Sequence, residues 1–207
     1  TLHDGIGAVQ WMLTIDDFYP QTSIPTSDGG LAVAGSVLVD NGLQCMLVKI
    51  TLAGAVDWMH TYPGFNHSEA MDLIEVGSND GYLIALENLD GNGSRIPMLI
   101  RAKADGSVMW MNNYEAPGIQ NAMGEFAFAE IGYTADGEIN FNLTGKLGPF
   151  PGNVDTLLAR VDANGNPLVA RQVGFTNHSD FGRGLTRANE GGFLVTGYSK
   201  QSGEGGG

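Results

Sequence analysis

The sequence has little of three things: cysteine, positive charge and long apolar runs. Its single cysteine, Cys45, excludes a disulfide within the chain, and the apolar neighbours of this residue favour a buried thiol. Only 10 Lys and Arg residues oppose 23 Asp and Glu, and the net charge of −13 repels nucleic acid and anionic membrane surfaces at long range. No apolar stretch approaches the ~18 residues that cross a bilayer. The sequence therefore excludes nucleic-acid partners and membrane insertion.

Glycine and apolar residues, in contrast, are plentiful. The 31 glycines lie at regular distances along most of the chain, which indicates turns rather than a low-complexity linker. With 43% hydrophobic residues, the chain can bury a sizeable core. Frequent turns in such a chain predict an all-β fold of short strands.

Three sequence patterns recur together along the chain. The first has the form Gly-x-Val-x-Trp, the second is an acidic residue and a glycine before an apolar run, and the third is an alternating apolar segment. Because the three patterns recur together about every 50 residues, we infer about four structural repeats. The copies begin at Gly7, Gly54, Gly106 and a diverged Gly165 for the first pattern, at Asp28, Asp80, Asp136 and Glu190 for the second, and at Met46, Met98 and Leu157 for the third.

Each repeat is expected to contain two hairpins. An Asp-Gly or Asn-Gly pair between apolar runs is a hairpin signal, because both residues accept the positive φ of a tight primed turn. One hairpin joins the first strand of a repeat to the second, and the other joins the third to the fourth. The first strands are the least regular, and we place them at residues 22–26, 72–76, 125–131 and 184–187.

Four short antiparallel strands per repeat are typical of a propeller blade, so we predict an all-β, β-propeller fold. A β-sandwich and a stacked β-solenoid are the alternatives. The recurring Trp favours blades, because a large aromatic side chain fills the wedge between radially arranged sheets, and Val169 replaces it in the repeat that Pro167 alters. Within a single domain, blades are expected at residues 16–62, 63–114 and 115–173, with partial blades at 1–15 and 174–207.

The two partial blades allow two arrangements. They close a four-bladed ring together, or they belong to a larger propeller. We favour the larger propeller, because the final repeat lacks a third strand and would leave a sheet edge open.

The repeat pattern resembles the tandem β-propeller repeats of exported bacterial and archaeal proteins. The segments that carry the resemblance are Gly191–Gly197 and Asp155–Leu168. The resemblance implies a secreted, cell-surface or periplasmic scaffold, often within a longer chain. It implies no active site, because the shared residues specify the blade.

Two nearly identical segments are the first candidates for a binding site. Asn66–Ala70 and Asn177–Phe181 each combine a His, a hydroxyl and a carboxylate, a set that can bind a metal or a sugar or support acid–base chemistry. We expect both in loops between a fourth strand and the next first strand, where the same side chains can also simply hold a turn. The ligand-binding candidates are His67, Glu69, His178 and Asp180, together with Asp72 and Arg183 on the inner strands.

Two further residue groups fit calcium binding and glycosylation. Alternating oxygen-bearing side chains resemble a short Ca²⁺ loop, although a full loop needs a distant bidentate Glu and the same residues favour tight turns. No other cofactor is expected, because the chain carries no nucleotide-binding, zinc-protease or nucleophile motif. The calcium candidates are Asp90, Asn92, Asp162 and Asn164, and the glycosylation candidates are Asn66, Asn92, Asn142 and Asn177.

These observations favour a non-enzymatic extracellular or cell-surface scaffold that binds a protein or glycan through its loops, of which residues 145–155 form the longest. One alternative is a propeller enzyme of the hydrolase, lyase or quinoprotein type, with residues from several blades converging in a central channel. Another is a structural protein that assembles with further blades or copies. Convergence of carboxylates, His or Arg from the inner strands in one pocket would favour the enzyme.

Overall fold

The fold is all-β, as the sequence predicts. The structure, a computed structural model, describes residues 2–3, 8–40, 42–63, 67–78, 80–89, 93–114, 122–134, 136–149, 152–188 and 192–201. These residues form sixteen strands and no helix. Accordingly, the described ranges contain no helix long and apolar enough to span a bilayer.

The strands follow one another along the chain with short connections. They are β1 (Leu2–His3), β2 (Val9–Trp11), β3 (Phe18–Pro25), β4 (Leu31–Val39), β5 (Gly42–Ile50), β6 (Val56–Tyr62), β7 (His67–Glu75), β8 (Tyr82–Leu89), β9 (Arg95–Ala102), β10 (Val108–Asn113), β11 (Ala122–Tyr133), β12 (Ile139–Pro149), β13 (Asp155–Asp162), β14 (Pro167–Val173), β15 (His178–Arg187) and β16 (Phe193–Gln201).

Consecutive strands pair into repeated antiparallel sheets that we number as units. Unit 1 is β3–β6, unit 2 is β7–β10 and unit 3 is β11–β14, and each is a four-stranded meander. Unit 4 is the pair β15–β16, and the pair β1–β2 precedes unit 1. Closure of the units around an axis is not seen among the described strands, so the propeller stays a prediction.

The first strand of each unit packs against the first, second and third strands of the preceding unit. β3 lies against β7, β7 against β11, and β11 against β15. Single parallel bridges at Leu43–His67 and Met123–Arg95 link the sheets of neighbouring units. The first strands begin three to six residues earlier than the sequence predicts, because the segments ahead of the predicted strands also join the ladder.

The hairpin turns differ from the primed two-residue turns that the sequence predicts. In the turn from Thr51 to Ala55, Gly54 N donates to Thr51 O and Thr51 N donates to Ala55 O, which encloses a three-residue loop. Gly54 has a φ of 85°, whereas no Asp or Asn that precedes a turn glycine has a positive φ in the described residues. This is a type I turn with a glycine in the left-handed region, and it needs only one such residue. Equivalent bonds close the turns 26–30, 103–107, 134–138 and 162–166.

The hydrophobic core lies between units rather than within them. One cluster joins units 1 and 2 and includes Leu47, Tyr62 and Ile84, and a second joins units 2 and 3 and includes Leu99 and Phe141. Unit 2 is therefore covered on both faces, and its strand β8 is buried at every residue except the last. In contrast, β14 is exposed along its whole length, because unit 4 has no described third and fourth strands to cover it.

A Trp from one unit contacts the turn between the third and fourth strands of the next unit, as the repeat pattern predicts. The indole of Trp110 donates to Ala163 O at 3.0 Å, and a Cβ added to Gly165 would lie 2.9 Å from the same ring. Gly54 lies under Trp11, and Gly106 under Trp58, in the same way. Glycine is required at these positions for two reasons: the backbone has a positive φ, and a Cβ would clash with the Trp ring.

A Tyr adds a hydrogen bond to the same contact. Tyr62 Oη donates to Gly106 O at 2.8 Å, and Tyr114 Oη donates to Gly165 O at 2.8 Å. We refer to each Trp–turn contact, with its Tyr where present, as a turn clasp. The turn clasps hold the outer strands of neighbouring units together.

Buried cations on the third strands brace the first turn of units 1 and 2. Lys49 pairs with Asp28 at 2.9 Å, and Arg101 pairs with Asp80 at 2.8 Å, although both cations are almost fully buried. In unit 3, Arg160 instead donates to Asn142 at 2.8 Å. Asn142 lies well beyond the turn of its hairpin.

The difference follows from the register of the second and third strands. Ile50 pairs with Leu31, the first residue of β4, whereas the equivalent Val161 pairs with Phe141, the third residue of β12. The longer strand moves the turn of unit 3 away from Arg160.

Candidate functional site

The two edges of each meander carry different kinds of connection. The turns between first and second strands, and between third and fourth strands, lie at one edge, which we call the tight-turn edge. The connections from second to third strands and from one unit to the next lie at the opposite, long-loop edge. Loops are where binding residues concentrate. The connections at the long-loop edge span residues 40–41, 63–66, 90–94, 114–121, 150–154 and 174–177, and the longest of them, 114–121, gives this edge its name.

A β-bulge interrupts the first strand of every unit at the same place. The register shifts between Pro20 and Thr22, and equivalent shifts occur in units 2, 3 and 4. Because the bulge is common to all four units, it identifies equivalent residues. The cross-strand pairs just ahead of it form what we call the inner row: Tyr19–Ser36, Glu69–Glu87, Glu125–Lys146 and Phe181–Tyr198.

The inner row has a different chemistry in every unit. It is a phenol and a hydroxyl in unit 1, two carboxylates in unit 2, a carboxylate and an amine in unit 3, and two stacked rings in unit 4. Residues that only maintain a repeat are shared between its copies, as the turn clasps are. In the inner row, therefore, the backbone position is the same in all four units and the side chains differ from unit to unit.

The carboxylate of Glu125 joins units 3 and 4. It accepts from Lys146 at 3.0 Å within its own unit and from Arg183 of unit 4 at 3.1 Å. The side chains of Glu125 and Lys146 are 5% and 10% exposed, so two of the three charges are almost removed from water. Both cations also lie within 6 Å of the Phe181 ring centre, over its electron-rich face.

Glu87, on the second strand, is the buried acid of the inner row in unit 2, and it has fewer partners than Glu125. Its Oε1 accepts from Arg95 at 2.6 Å, while its Oε2 is buried with no hydrogen bond. The bulge residue of unit 4, Arg183, contacts Glu125, whereas the bulge residue of unit 3 is the small, buried Ala127. Unit 3 thus supplies no cation where unit 4 supplies one.

The surroundings of Glu87 disfavour its ionised form. Burial raises the pKa of Glu87, Arg95 opposes that rise, and the nearby carboxylate of Glu125 adds to it. Lys146 and Glu69 act more weakly, in opposite directions. The result is a carboxyl group that holds its proton more tightly than an ordinary Glu.

The two His-containing segments are not equivalent, although their sequences match. His67 bonds Glu69 at 2.8 Å on the long-loop side of β7, and both side chains are about one-third exposed. Counted from the bulge, the second segment is offset by one residue, because Phe181 rather than Asp180 aligns with Glu69. A one-residue offset turns a strand's side chains to the opposite face.

Asp180 accordingly has a different role from Glu69. It is buried, and it accepts from Phe175 N at 2.8 Å, while His178 Nδ1 lies 2.9 Å from Thr176 O. Residues 67–70 and 178–181 of the two segments lie within first strands rather than in the predicted loops, and Asn177 lies just ahead of its strand. Asn66, the first residue of one segment, lies outside the described residues.

Asp72 and Arg183 contact different groups. Asp72 accepts from Ala129 N at 2.9 Å and from Leu73 N at 2.9 Å, and so ties the first strand of unit 2 to that of unit 3. Burial raises the pKa of Asp72 against these two bonds. Arg183 belongs to the Glu125 triad instead, so the two residues do not form one site.

Of the calcium candidates, Asp162 and Asn164 lie in the described turn of unit 3. Asp162 accepts from Asn164 N, Asn166 N and the Asn166 side chain, which closes the turn of unit 3 and lowers the pKa of Asp162. No group of three or more His, Cys, Asp or Glu side chains there is arranged to hold a metal ion. Asp90 and Asn92 lie outside the described residues.

The two described glycosylation candidates differ in exposure. Asn142 is buried, accepts from Arg160 and donates to Asn140. Asn177 is exposed and has a φ of 63°, in the left-handed region. In the folded chain, only Asn177 of this pair presents its amide to solvent.

Sequence reasoning missed the inner row as a set, including Glu87, Glu125 and Lys146, and it also missed Arg95, the partner of Glu87. One signal was available, since Glu87 and Lys146 are the single charged residues of their strands. A charged residue inside such a strand is buried only with a partner. Those partners come from other strands and other units, which the spacing of residues does not reveal.

Comparison with known proteins adds no identity, because no protein-family model matches the chain and no curated protein matches it.

Proposed function

We propose that this chain is a β-propeller module that acts as a non-enzymatic, extracellular or cell-surface scaffold and binds a protein or glycan at its long-loop edge. The observation that carries the proposal is the inner row, in which a backbone position common to all units bears different side chains in each. A repeat scaffold that binds an irregular partner needs this combination.

The propeller part of the proposal is supported by how the units contact each other. Their first strands lie side by side from unit 1 to unit 4, while the turn clasps join the outer strands. Sheets joined at both their inner and outer strands, with aromatic residues in the outer contact, are arranged as blades around an axis would be. A sandwich would enclose one core between two sheets, whereas unit 2 has a core cluster on each of its faces.

The binding part is supported by which groups are exposed near the long-loop edge. His67, Glu69 and Arg95 keep a third to a half of their side chains in solvent, whereas Glu87 behind them is buried. An exposed acid, base and imidazole offer hydrogen-bond donors and acceptors to sugar hydroxyls or to a polar protein surface. The buried ion pairs behind them fix the strands that carry these groups.

An enzyme remains the second candidate, because Glu87 combines a raised pKa with the neighbouring carboxylate of Glu69. Such a pair is a known way to keep one acid protonated at neutral pH. Four cavities among the described residues, however, are lined by side chains other than Glu69 and Glu87.

The test is binding of the purified chain to a glycan microarray and to a panel of extracellular proteins. We expect saturable binding to at least one probe, weakened by about tenfold or more in Glu69→Lys and His67→Ala. The matched control is Glu138→Lys, which makes the same charge change at the exposed tight-turn edge and should bind normally.

Thermal melting would establish that all variants are folded. Equal binding by Glu69→Lys and Glu138→Lys would contradict the proposed face. Release of a product from a bound probe, abolished by Glu87→Gln, would replace the scaffold with the enzyme.

A further inference from the structure

A cavity of about 490 Å³ lies between units 2 and 3. Its walls are the end of β10 in unit 2, with Tyr114 after it, and all four strands of unit 3 together with the turn at Gly165. Both flanking units are four-stranded meanders, so the cavity is a space between two neighbours and not the uncovered face of one unit. Small-molecule sites have volumes of roughly 300–1,000 Å³, a range that includes this cavity.

Two small residues on the face of unit 3 that meets unit 2 create the cavity. Ala159 pairs with Ala170, and in unit 2 the equivalent pair, counted from the hairpin turn, is Ile100 with Met111. Ile100 and Met111 pack in the core cluster that joins units 1 and 2. Unit 3 therefore has two methyl groups where unit 2 has long apolar side chains, and the space that those chains would fill is left open.

An unfilled space of this size weakens the contact between the units. Protein interiors are packed as densely as organic crystals, and apolar groups lose van der Waals contacts wherever a neighbour is missing. Leu157 and Val161 line the cavity on either side of Ala159, and both belong to the core cluster that joins units 2 and 3. A bound apolar molecule would supply the contacts that these side chains lack.

The lining is mainly apolar, and its polar side chains are uncharged. Phe126 and Tyr114 contribute two rings that meet edge to face, with their centres 5.4 Å apart. The other polar side chains are Asn112, Asn113 and Asn166, and the described residues that line the cavity include no charged side chain. A charged ligand would lose its hydration here without gaining an ionic partner, so the lining favours a neutral one.

Two of the polar side chains are held in place by the turn of unit 3. Tyr114 Oη donates to Gly165 O at 2.8 Å, and Asn112 Nδ2 donates to the same oxygen at 3.2 Å. The phenol proton is used in this bond, so the phenol oxygen can only accept a further hydrogen bond. A hydroxyl or N–H group on a ligand is the complementary donor.

We propose that this cavity binds a neutral, mainly apolar ring compound that carries a hydroxyl or N–H group. The aliphatic walls and the two neighbouring rings favour an aromatic ligand, because aromatic side chains pack well against a further ring. The absence of charge on the described lining excludes an ionic one, and Tyr114 supplies an acceptor for the polar group.

The width of the cavity is fixed by the turn clasp beside it. Trp110 of unit 2 donates to Ala163 O of unit 3 at 3.0 Å, which joins the two sheets next to the cavity. A pocket whose walls are already joined loses little freedom when a ligand enters it. The site is separate from the proposed binding face at the long-loop edge, where His67 and Glu69 lie in β7.

The first test is a fluorescence titration of the purified chain with N-phenylnaphthylamine, a neutral aromatic amine whose emission rises in apolar surroundings. We expect saturable binding by the wild type. Ala170→Met introduces the side chain of Met111 and should remove one site, seen as binding weakened by about tenfold or more or as one fewer probe bound per chain. Ala159→Ile, which introduces the side chain of Ile100, should have the same effect.

The matched control is Ala53→Met, the same substitution in an exposed turn of unit 1, which should bind the probe like the wild type. Thermal melting would establish that all variants are folded, as expected for side chains that unit 2 already holds at the equivalent positions. A wild type without saturable binding would overturn the proposal. Unchanged affinity and number of sites in Ala170→Met and Ala159→Ile would also overturn it, since the probe would then lie elsewhere.

The second test is displacement of the probe by two compounds with the same naphthalene ring, the neutral naphthalenemethanol and the cationic naphthylmethylammonium. The net charge of −13 attracts the cation at long range, so a preference for the alcohol must come from the lining. We expect the alcohol to displace the probe at a concentration about tenfold lower or less. Equal or stronger displacement by the cation would overturn the assignment of a neutral ligand.

The Glu69→Lys variant separates this site from the proposed function. It should bind N-phenylnaphthylamine like the wild type even where its binding to a glycan or protein is lost, because Glu69 lies in β7 and the cavity is formed by β10 and unit 3. Loss of probe binding in Glu69→Lys, with the chain still folded, would place the probe at the long-loop edge and refute the cavity as its site.

Discussion

The tight-turn edge and the long-loop edge of the molecule differ in how far their side chains repeat from unit to unit. At the tight-turn edge, the same glycine, Trp and Tyr contacts recur from unit to unit. Near the long-loop edge, the inner row holds different residues in every unit, and its charges are neutralised by groups from neighbouring strands and units. Repetition at one edge fixes the geometry of the scaffold, and this fixed geometry allows the other edge to vary.

The largest effect on stability is expected from removing the central acid of the inner row. Glu125→Leu leaves Lys146 buried without its partner, and breaking a buried ion pair in this way costs about 3–5 kcal/mol. Glu69→Leu, at the equivalent but part-exposed position, should cost less than about 1 kcal/mol. Urea unfolding of both variants measures the difference. Equal losses would mean that the buried triad adds nothing specific to stability.

The turn glycines give the next largest difference. A Cβ at Gly106 would lie 2.6 Å from the Trp58 ring, whereas a Cβ at Gly137 meets nothing within 4 Å, and both residues have a φ above 80°. Gly137→Ala should cost about 1–2 kcal/mol for the backbone alone. Gly106→Ala should cost about 1–3 kcal/mol more, because the ring must move. Thermal and urea unfolding measure both losses of stability. Equal losses would contradict the added cost that we assign to the Trp58 ring.

The hydroxyl of a turn clasp should have a smaller effect. Tyr62→Phe removes the 2.8 Å bond to Gly106 O and leaves that bond's acceptor buried, at a cost of about 1 kcal/mol. Tyr133→Phe is the matched control, since Tyr133 lies exposed at the end of its strand and should lose less than about 0.5 kcal/mol. A loss in both variants would point to the phenol itself rather than to the clasp.

The smallest effect should be a pH dependence that originates in the inner row. The pKa of Glu87 is raised in the folded chain, so the folded chain holds this proton more tightly than the unfolded chain. The resulting stability is present below the unfolded pKa and is lost as the pH rises through the folded pKa. Glu87→Gln cannot ionise, so its stability relative to the wild type should be greater at pH 7 than near pH 4.

Glu138→Gln, which alters an exposed turn residue, should show no such trend in the same unfolding series. Asp28 at the tight-turn edge should behave in the opposite way. Hydrogen bonds from Thr26 first, and then from Lys49, lower the pKa of Asp28. Its contribution is therefore present at neutral pH and is lost on acidification.

The sequence predicted the parts of the fold that depend on neighbouring residues. Hairpins could be placed because a turn glycine and alternating apolar residues lie within one short segment, and the Trp of each repeat could be assigned to a contact between sheets. The type of turn was wrong, because the residue before the glycine keeps an ordinary negative φ. An Asp-Gly or Asn-Gly pair has two residues with a positive φ in a two-residue primed turn, but only the glycine has one in a three-residue loop.

The candidate site was less predictable, since it depends on register across the ladder. Glu69 meets Glu87 only through the pairing of β7 with β8, and Arg183 reaches Glu125 only through the contact between units. The bulge then decides which face a side chain occupies. His67 and His178 have the same local sequence, but the one-residue offset gives them different partners.

The covering of unit 2 on both faces has a consequence for how the molecule opens. Its strand β8 is buried between neighbours, whereas β14 of unit 3 is exposed throughout. Since each unit is stabilised mainly by the next, opening should proceed from the terminal units towards the middle, as in other linear repeats. The amide protons of unit 2 would then exchange with solvent most slowly. Unit 2 would be the last part of the chain to unfold, and the neighbouring units would refold against it.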